Sequence, residues 1–157
     1  MVVLFLGIGC TNMYLRPTST CQPLSAFDTL VIAPFNGDSA FVEEGQYRGL
    51  PHDIAVATTD RLKDQIEISH IFSKVIQSSD CADRAIKIDG KIYSLIHNRR
   101  SFHVGIRGQI INCQTGESLY KFDNDDESDS ESFKLPSQIA EKLTDGIKAK
   151  LICVKPK

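Results

Sequence analysis

No stretch of this 157-residue chain is long enough to cross a bilayer. A spanning helix needs about 20 apolar residues, and the apolar run Val2–Ile8 falls far short. Basic clustering is missing as well. The net charge is −2, and the short stretches Asn98–Arg100 and Lys155–Lys157 do not make the basic face that a nucleic acid requires. No C-x-x-C or H-x-x-x-H spacing occurs, which argues against a metal centre. Neither a G-x-S-x-G elbow nor a phosphate-cradling glycine loop is present, which argues against the hydrolase and nucleotide chemistries built on them. The sequence therefore implies no cofactor, no metal and no nucleic-acid partner.

What the chain does have begins at its first residues. "VVLFLGIGC" is an apolar run that stops at a cysteine. Its length is that of a short secretory h-region, with small residues before the cleavage point. Leu6, Gly7, Ile8, Gly9 and Cys10 resemble a bacterial lipoprotein signal, with the usual leucine displaced to Leu6. The resemblance implies cleavage before Cys10, a lipid on its sulfur, and, because Thr11 rather than Asp follows, sorting to the periplasmic face of the outer membrane. The alternatives are a buried strand, VVLFL, or an uncleaved signal-like stretch. Four further cysteines, Cys21, Cys81, Cys113 and Cys153, are candidates for disulfides in an oxidising compartment, with three connectivities open. The other reading is that Cys113 and Cys153 are small buried hydrophobes.

The rest divides into a tether over 10–26, rich in Thr, Ser and Pro, and one domain over 27–157, with residues 1–9 as the signal peptide. Leu30–Ala33 form a short buried strand ended by Pro34. Ile54, Thr58, Leu62 and Ile66 stand four apart and predict a helix, and Ile71–Ile76 a strand. A strand, helix and strand in this order imply a crossover with parallel strands. "RAIKIDGKIYSLIH" alternates, with Ile86, Ile88, Gly90, Ile92, Ser94 and Ile96 on one face and Lys87, Asp89, Lys91 and Tyr93 on the other. Phe102, Val104, Ile106, Gly108 and Ile110 repeat the pattern, and "LYKFD" closes the sheet. Gly105 and Gly108 inside a strand point to bulges or close backbone approach. Asp123–Glu131, six acids in nine residues, reads as a solvated loop; it lacks the glycine and glutamate of an EF-hand. Ile139, Leu143, Ile147 and Leu151 give the last helix. The expected fold is α+β in two layers. A mixed five-stranded sheet carries two helices on one face, in the order β-α-β-β-β-β-α. Its other face, with Lys87, Asp89, Lys91, Tyr93, His103, Arg107 and Gln109, is open to water or to a partner.

No catalytic constellation emerges from the residues. Of His52, His70, His97 and His103, the last two bracket a hairpin turn. A hydrolase built on either would need a carboxylate within ~3 Å of the imidazole. Ser78 and Ser79 beside Asp80 are better explained by a polar turn. "DTLVIAPFNG", "ISHIFSKVI", "DCADRAIKIDGKIYSL" and "INCQTGESLYKF" together resemble a group of lipoproteins over residues 27–152. The group includes those built like the TolB amino-terminal domain, the curli-secretion lipoprotein, the penicillin-binding-protein activators and a ring-forming exopolysaccharide-export lipoprotein. The resemblance implies a mixed sheet flanked by helices and a role in envelope assemblies, and it brings no catalytic residues. The expectation is a non-enzymatic lipoprotein that is anchored through Cys10 and binds an envelope protein complex, with homo-oligomerisation open. The alternative is a soluble domain that binds a small ligand.

Overall fold

The computed structural model describes residues 15–19 and 21–153. Its elements are β1 (Arg16–Pro17), β2 (Thr29–Ile32), β3 (Phe41–Val42), α1 (Leu50–Ser69), β4 (Lys74–Gln77), β5 (Ala85–Asn98), β6 (Ser101–Asn112), β7 (Ser118–Asp129) and α2 (Leu135–Ala149). One mixed sheet holds every strand, in the order β1-β7-β6-β5-β2-β4, with β3 paired to β5. The α+β class and the two helices agree with the sequence; the sheet has seven strands rather than five. The two extra strands, β1 and β3, are two residues long, too short to carry a period.

Each helix buries the stripe read from its spacing, except that α2 ends at Ala149 and leaves Leu151 beyond it, partly buried. Ile54, Leu62 and Ile66 of α1 and Ile139, Leu143 and Ile147 of α2 are at most 2% exposed. They pack on Leu30, Ile32, Ile86, Ile88 and Ile110 of the sheet. Pro51 and Pro136 sit in the first turns, where a missing N–H costs nothing. His70 ends α1 in the left-handed conformation, with φ 53°. Strand β2 runs parallel to both β4 and β5, as the crossover requires. The long loop after β2 continues along β5: Asn36 N–H donates to the Gly90 carbonyl at 3.1 Å, Ile92 N–H to the Asn36 carbonyl at 2.8 Å, and β3 then pairs with Ser94 and Leu95.

Three expectations change. First, β5 carries a bulge. Ile92 pairs with Ile106 but Ser94 with Gly105, leaving Tyr93 unmatched. The alternation flips beyond it, so Leu95 is buried and Ile96 is 38% exposed. Second, the acidic segment is strand through Asp129, because β6 pairs with it. A second bulge between Asn124 and Glu127 turns Glu127 inward, where it is 1% exposed. There it accepts hydrogen bonds from Asn124 Nδ2 and Lys142 Nζ, both at 2.6 Å. Third, residues 15–19 and 21–26 are not free tether. Leu15 is buried against Gly146, Leu24 is wholly buried, and Leu24 N–H donates to the Lys150 carbonyl at 2.8 Å. The signal-like run and Cys10 lie outside the described residues.

Candidate functional site

The helices cover one face of the sheet and leave the other open. On the covered side, Gly90 pairs with Gly108 and Gly108 with Phe122. The two glycines leave room for the rings of Phe35 and Phe122, stacked with centroids 6.5 Å apart. A Cβ on Gly108 would come within 2.1 Å of the Asp89 carbonyl oxygen and 2.3 Å of the Phe122 ring. The strands therefore approach here as only glycine permits.

On the open side the same region is a concavity of about 550 Å³, lined in part by Pro34, Asn36, Asp89, Lys91, Arg107 and Lys121. Its charged residues fall into two cross-strand rows. Lys91, Arg107 and Asp123 form one; Asp89, Gln109, Lys121 and Arg16 form the next. Opposite signs thus alternate along β5 and along β7. The Arg107 guanidinium lies over the Tyr93 ring, 3.8 Å from its centroid, and Tyr93 Oη donates to Asp123 Oδ1 at 3.3 Å. The bulge is what places Tyr93 there. Burial, reinforced by the Asp123 carboxylate, holds the Tyr93 phenol above its usual pKa. Burial also raises the Asp89 carboxyl, against the pull of a Gln109 hydrogen bond and the Lys87 charge. This arrangement can recognise a partner by ion pairs and hydrogen bonds of both signs.

Three histidines each meet a carboxylate. His52 Nδ1 lies 2.8 Å from Asp38, His97 Nδ1 3.6 Å from Glu44, and His103 Nδ1 3.0 Å from Asp126. The distance set for a general base is thus met at His103. Ser128 is its cross-strand neighbour, but no hydrogen bond joins Ser128 to the ring among the described residues, and Asp126 is 76% exposed. A pair so open to water is weakly coupled. His97 instead belongs to an aromatic cluster with Tyr47 and Phe102, at ring distances of 4.6–5.2 Å. Ser78 Oγ accepts from Asp80 N–H at 3.1 Å, a local turn.

The cysteines meet in two bonds. Cys21 joins Cys153 with Cα atoms 5.8 Å apart, and Cys81 joins Cys113 at 5.4 Å. Among the described residues, no group of His, Cys, Asp and Glu could hold a metal ion, and no helix is long and apolar enough to cross a membrane. The concavity was invisible to sequence reading as a shape; of its lining, Asp89, Lys91, Arg107 and Gln109 were on the face assigned as open, whereas Pro34, Asn36, Lys121 and Asp123 were not. The pairing of buried Glu127 with half-exposed Lys142 gave no signal, because the bulge reverses the parity of the strand.

No protein-family model matches the chain, and no curated protein matches it. Solved structures do share its fold. The PelC dodecamer from Paraburkholderia phytofirmans superposes with a TM-score of 0.58 at 14% identity, over 83% of this chain and 96% of that one. A single-substitution variant of that protein gives 0.57 at 13% identity, over 83% and 94%. A putative neuraminyllactose-binding hemagglutinin homolog from Helicobacter pylori gives 0.43 at 10%, over 87% and 89%. The two PelC superpositions show a likeness of fold and, at these identities, no more than that.

Proposed function

We propose that this chain is a non-enzymatic lipoprotein of the bacterial envelope. In this reading a lipid on Cys10 anchors it to the periplasmic face of the outer membrane, where it binds a protein complex for export or cell-wall synthesis. The observation that carries the reading is the run Leu6–Cys10, which resembles a lipoprotein signal; the PelC likeness adds only a shared fold. The dodecameric state of PelC supports a closed homo-oligomer here as well. The Cys21–Cys153 and Cys81–Cys113 bonds support an oxidising compartment. The alternating charges of the open face suit a protein surface rather than a polyanion.

Metabolic labelling with a radioactive fatty acid tests the anchor. The expected result is label on the native chain and none on Cys10→Ala; an unlabelled native chain overturns it. Cross-linking in intact cells then tests the partner. A Lys91→Glu/Arg107→Glu variant should lose the cross-linked species, and its persistence would remove the open face from the interface.

The concavity favours a second reading, a small-ligand site, since its 550 Å³ falls in the range of such pockets. A thermal-shift screen of small metabolites on the purified domain separates the two. A stabilising hit that Arg107→Ala abolishes would favour the ligand.

A further inference from the structure

The five residue-to-residue steps from Cys10 to Leu15 are all the slack that an anchor on Cys10 would have. Leu15 is 1% exposed, and residues 15–19 and 21–26 are fixed to the body of the domain. Pro17 pairs with Tyr120. Tyr120 Oη donates to the Gln22 carbonyl at 2.6 Å. Cys21 is covalently joined to Cys153. A fully extended stretch of this length spans at most roughly 17 Å, close to the ~15 Å radius of gyration expected for a domain of this size. The domain cannot swing clear of the leaflet on so short a lead.

The pole that receives this segment is well defined. The helices lie side by side and point the same way. Their N-termini share a groove lined by Leu50, Ile54, Phe133 and Pro136, and Thr144 Oγ1 reaches Gln65 Oε1 at 3.3 Å near their far ends. Their C-termini therefore lie together, next to the attachment points of Leu15 and Leu24. Two large apolar side chains stand out there: Ile68, the last apolar residue of α1, is 76% exposed, and Ile152, beside Cys153, is 68% exposed. Exposed basic side chains flank them. Lys74 and Lys148 have no carboxylate within ion-pair distance among the described residues. Of the acids at this end, Glu67 pairs with Lys63 at 2.8 Å and Asp28 with Arg84 at 3.3 Å; Asp83 and Glu117, in the turns at this end of the sheet, and Asp145 on α2 are its other acids.

We infer that this pole lies flat on the lipid leaflet, with Ile68 and Ile152 immersed among the headgroups and Lys74 and Lys148 against anionic phosphates. The inference rests on the proposed lipid at Cys10. Apolar side chains at the headgroup boundary add their own buried area to the acyl anchor, and basic residues near an anionic surface are attracted to it. The opposite pole, with Phe133 and the turn between β5 and β6, then points away from the membrane.

The chain has no tryptophan, so one introduced indole reports its own depth. Ile68→Trp, Ile152→Trp and Phe133→Trp are made in the full-length acylated protein. Each is reconstituted in phosphatidylethanolamine–phosphatidylglycerol vesicles with and without brominated acyl chains. The first two should shift to the blue and lose about half their emission to bromine, as expected at the headgroup–acyl boundary. Phe133→Trp should keep its emission. Vesicle-bound protein with no quenching at 68 and 152, or with quenching at 133 instead, overturns the orientation while leaving the anchor intact. Mass spectrometry that finds Cys10 unmodified, with the protein failing to float with vesicles, overturns the anchor and this inference with it.

Discussion

Glu127 shows how one residue's environment can reverse what its neighbours suggest. It sits in the most acidic part of the chain, yet it is 1% exposed, while its partner Lys142 is about half exposed. Burying a carboxylate is costly unless it is paired, and breaking the pair from one side strands the charge. Lys142→Met should therefore cost about 2 kcal/mol, less than for a wholly buried pair because water reaches the lysine. The double variant Glu127→Leu/Lys142→Met should recover most of that loss, and urea unfolding of the two variants checks both. Asp89 makes the opposite case. Burial raises its pKa in the folded chain, so between the ordinary carboxylate value and the raised one the folded state holds more protons than the unfolded. Stability falls as pH climbs through that window. Asp89→Asn should leave stability unchanged at low pH, below both values. At pH 7 it should add on the order of 0.5 kcal/mol, a small figure because the side chain is half exposed. Denaturant midpoints at the two pH values decide it. Neither residue could be assigned from sequence. The burial of both depends on bulges and strand neighbours, and a local pattern does not encode these.

At the scale of elements, legibility followed length. The helices α1 and α2 and the strands β5 and β6 are long enough for several repeats of their periods, and most of the side chains their spacing indicated are buried; Ile96, beyond the β5 bulge, is the clearest exception. Strands β1 and β3 have no period to read, and the acidic half of β7 was disguised by composition. Pairing with β6 there satisfies the backbone, and the charges that read as loop leave an acidic edge that discourages stray strand pairing. The open face was legible as a set of residues, because Lys87, Asp89 and Lys91 alternate with isoleucines. Its curvature was not, since that follows from Gly90 meeting Gly108 across two strands. The packed residues 15–19 and 21–26 were hidden for a related reason: what fixes them is distant in sequence. Cys21 and Cys153 are 132 residues apart. Closing a loop of that length restricts the unfolded chain by about 5 kcal/mol. Cys21→Ser/Cys153→Ser should lose up to that amount. Hydrogen exchange should then show the amides of Leu24 and Ser25, which bond the carbonyls of Lys150 and Leu151, losing protection before those of β5.

The two disulfides also bound the stability of the molecule as a whole. Cys81–Cys113, with a separation of 32, contributes about 4 kcal/mol by the same loop argument. It is nested within the longer loop, so the two together fall short of additive. Even so they represent a large share of the 5–15 kcal/mol that separates a typical folded domain from its unfolded chain. The core alone, two helices over one face of a sheet whose other face is wet, is left with a small margin. Full reduction should therefore lower the melting temperature by at least ~15 °C, taking 2–4 °C per kcal/mol for a domain of this size. Calorimetry with and without a strong reductant measures it. The expectation extends to the cell: chain directed to the cytoplasm should accumulate largely insoluble, and exported chain soluble and resistant to thiol alkylation. Equal melting temperatures in the two redox states would mean that the apolar core carries the fold unaided, and would leave the pairings of Cys21 and Cys81 without thermodynamic consequence.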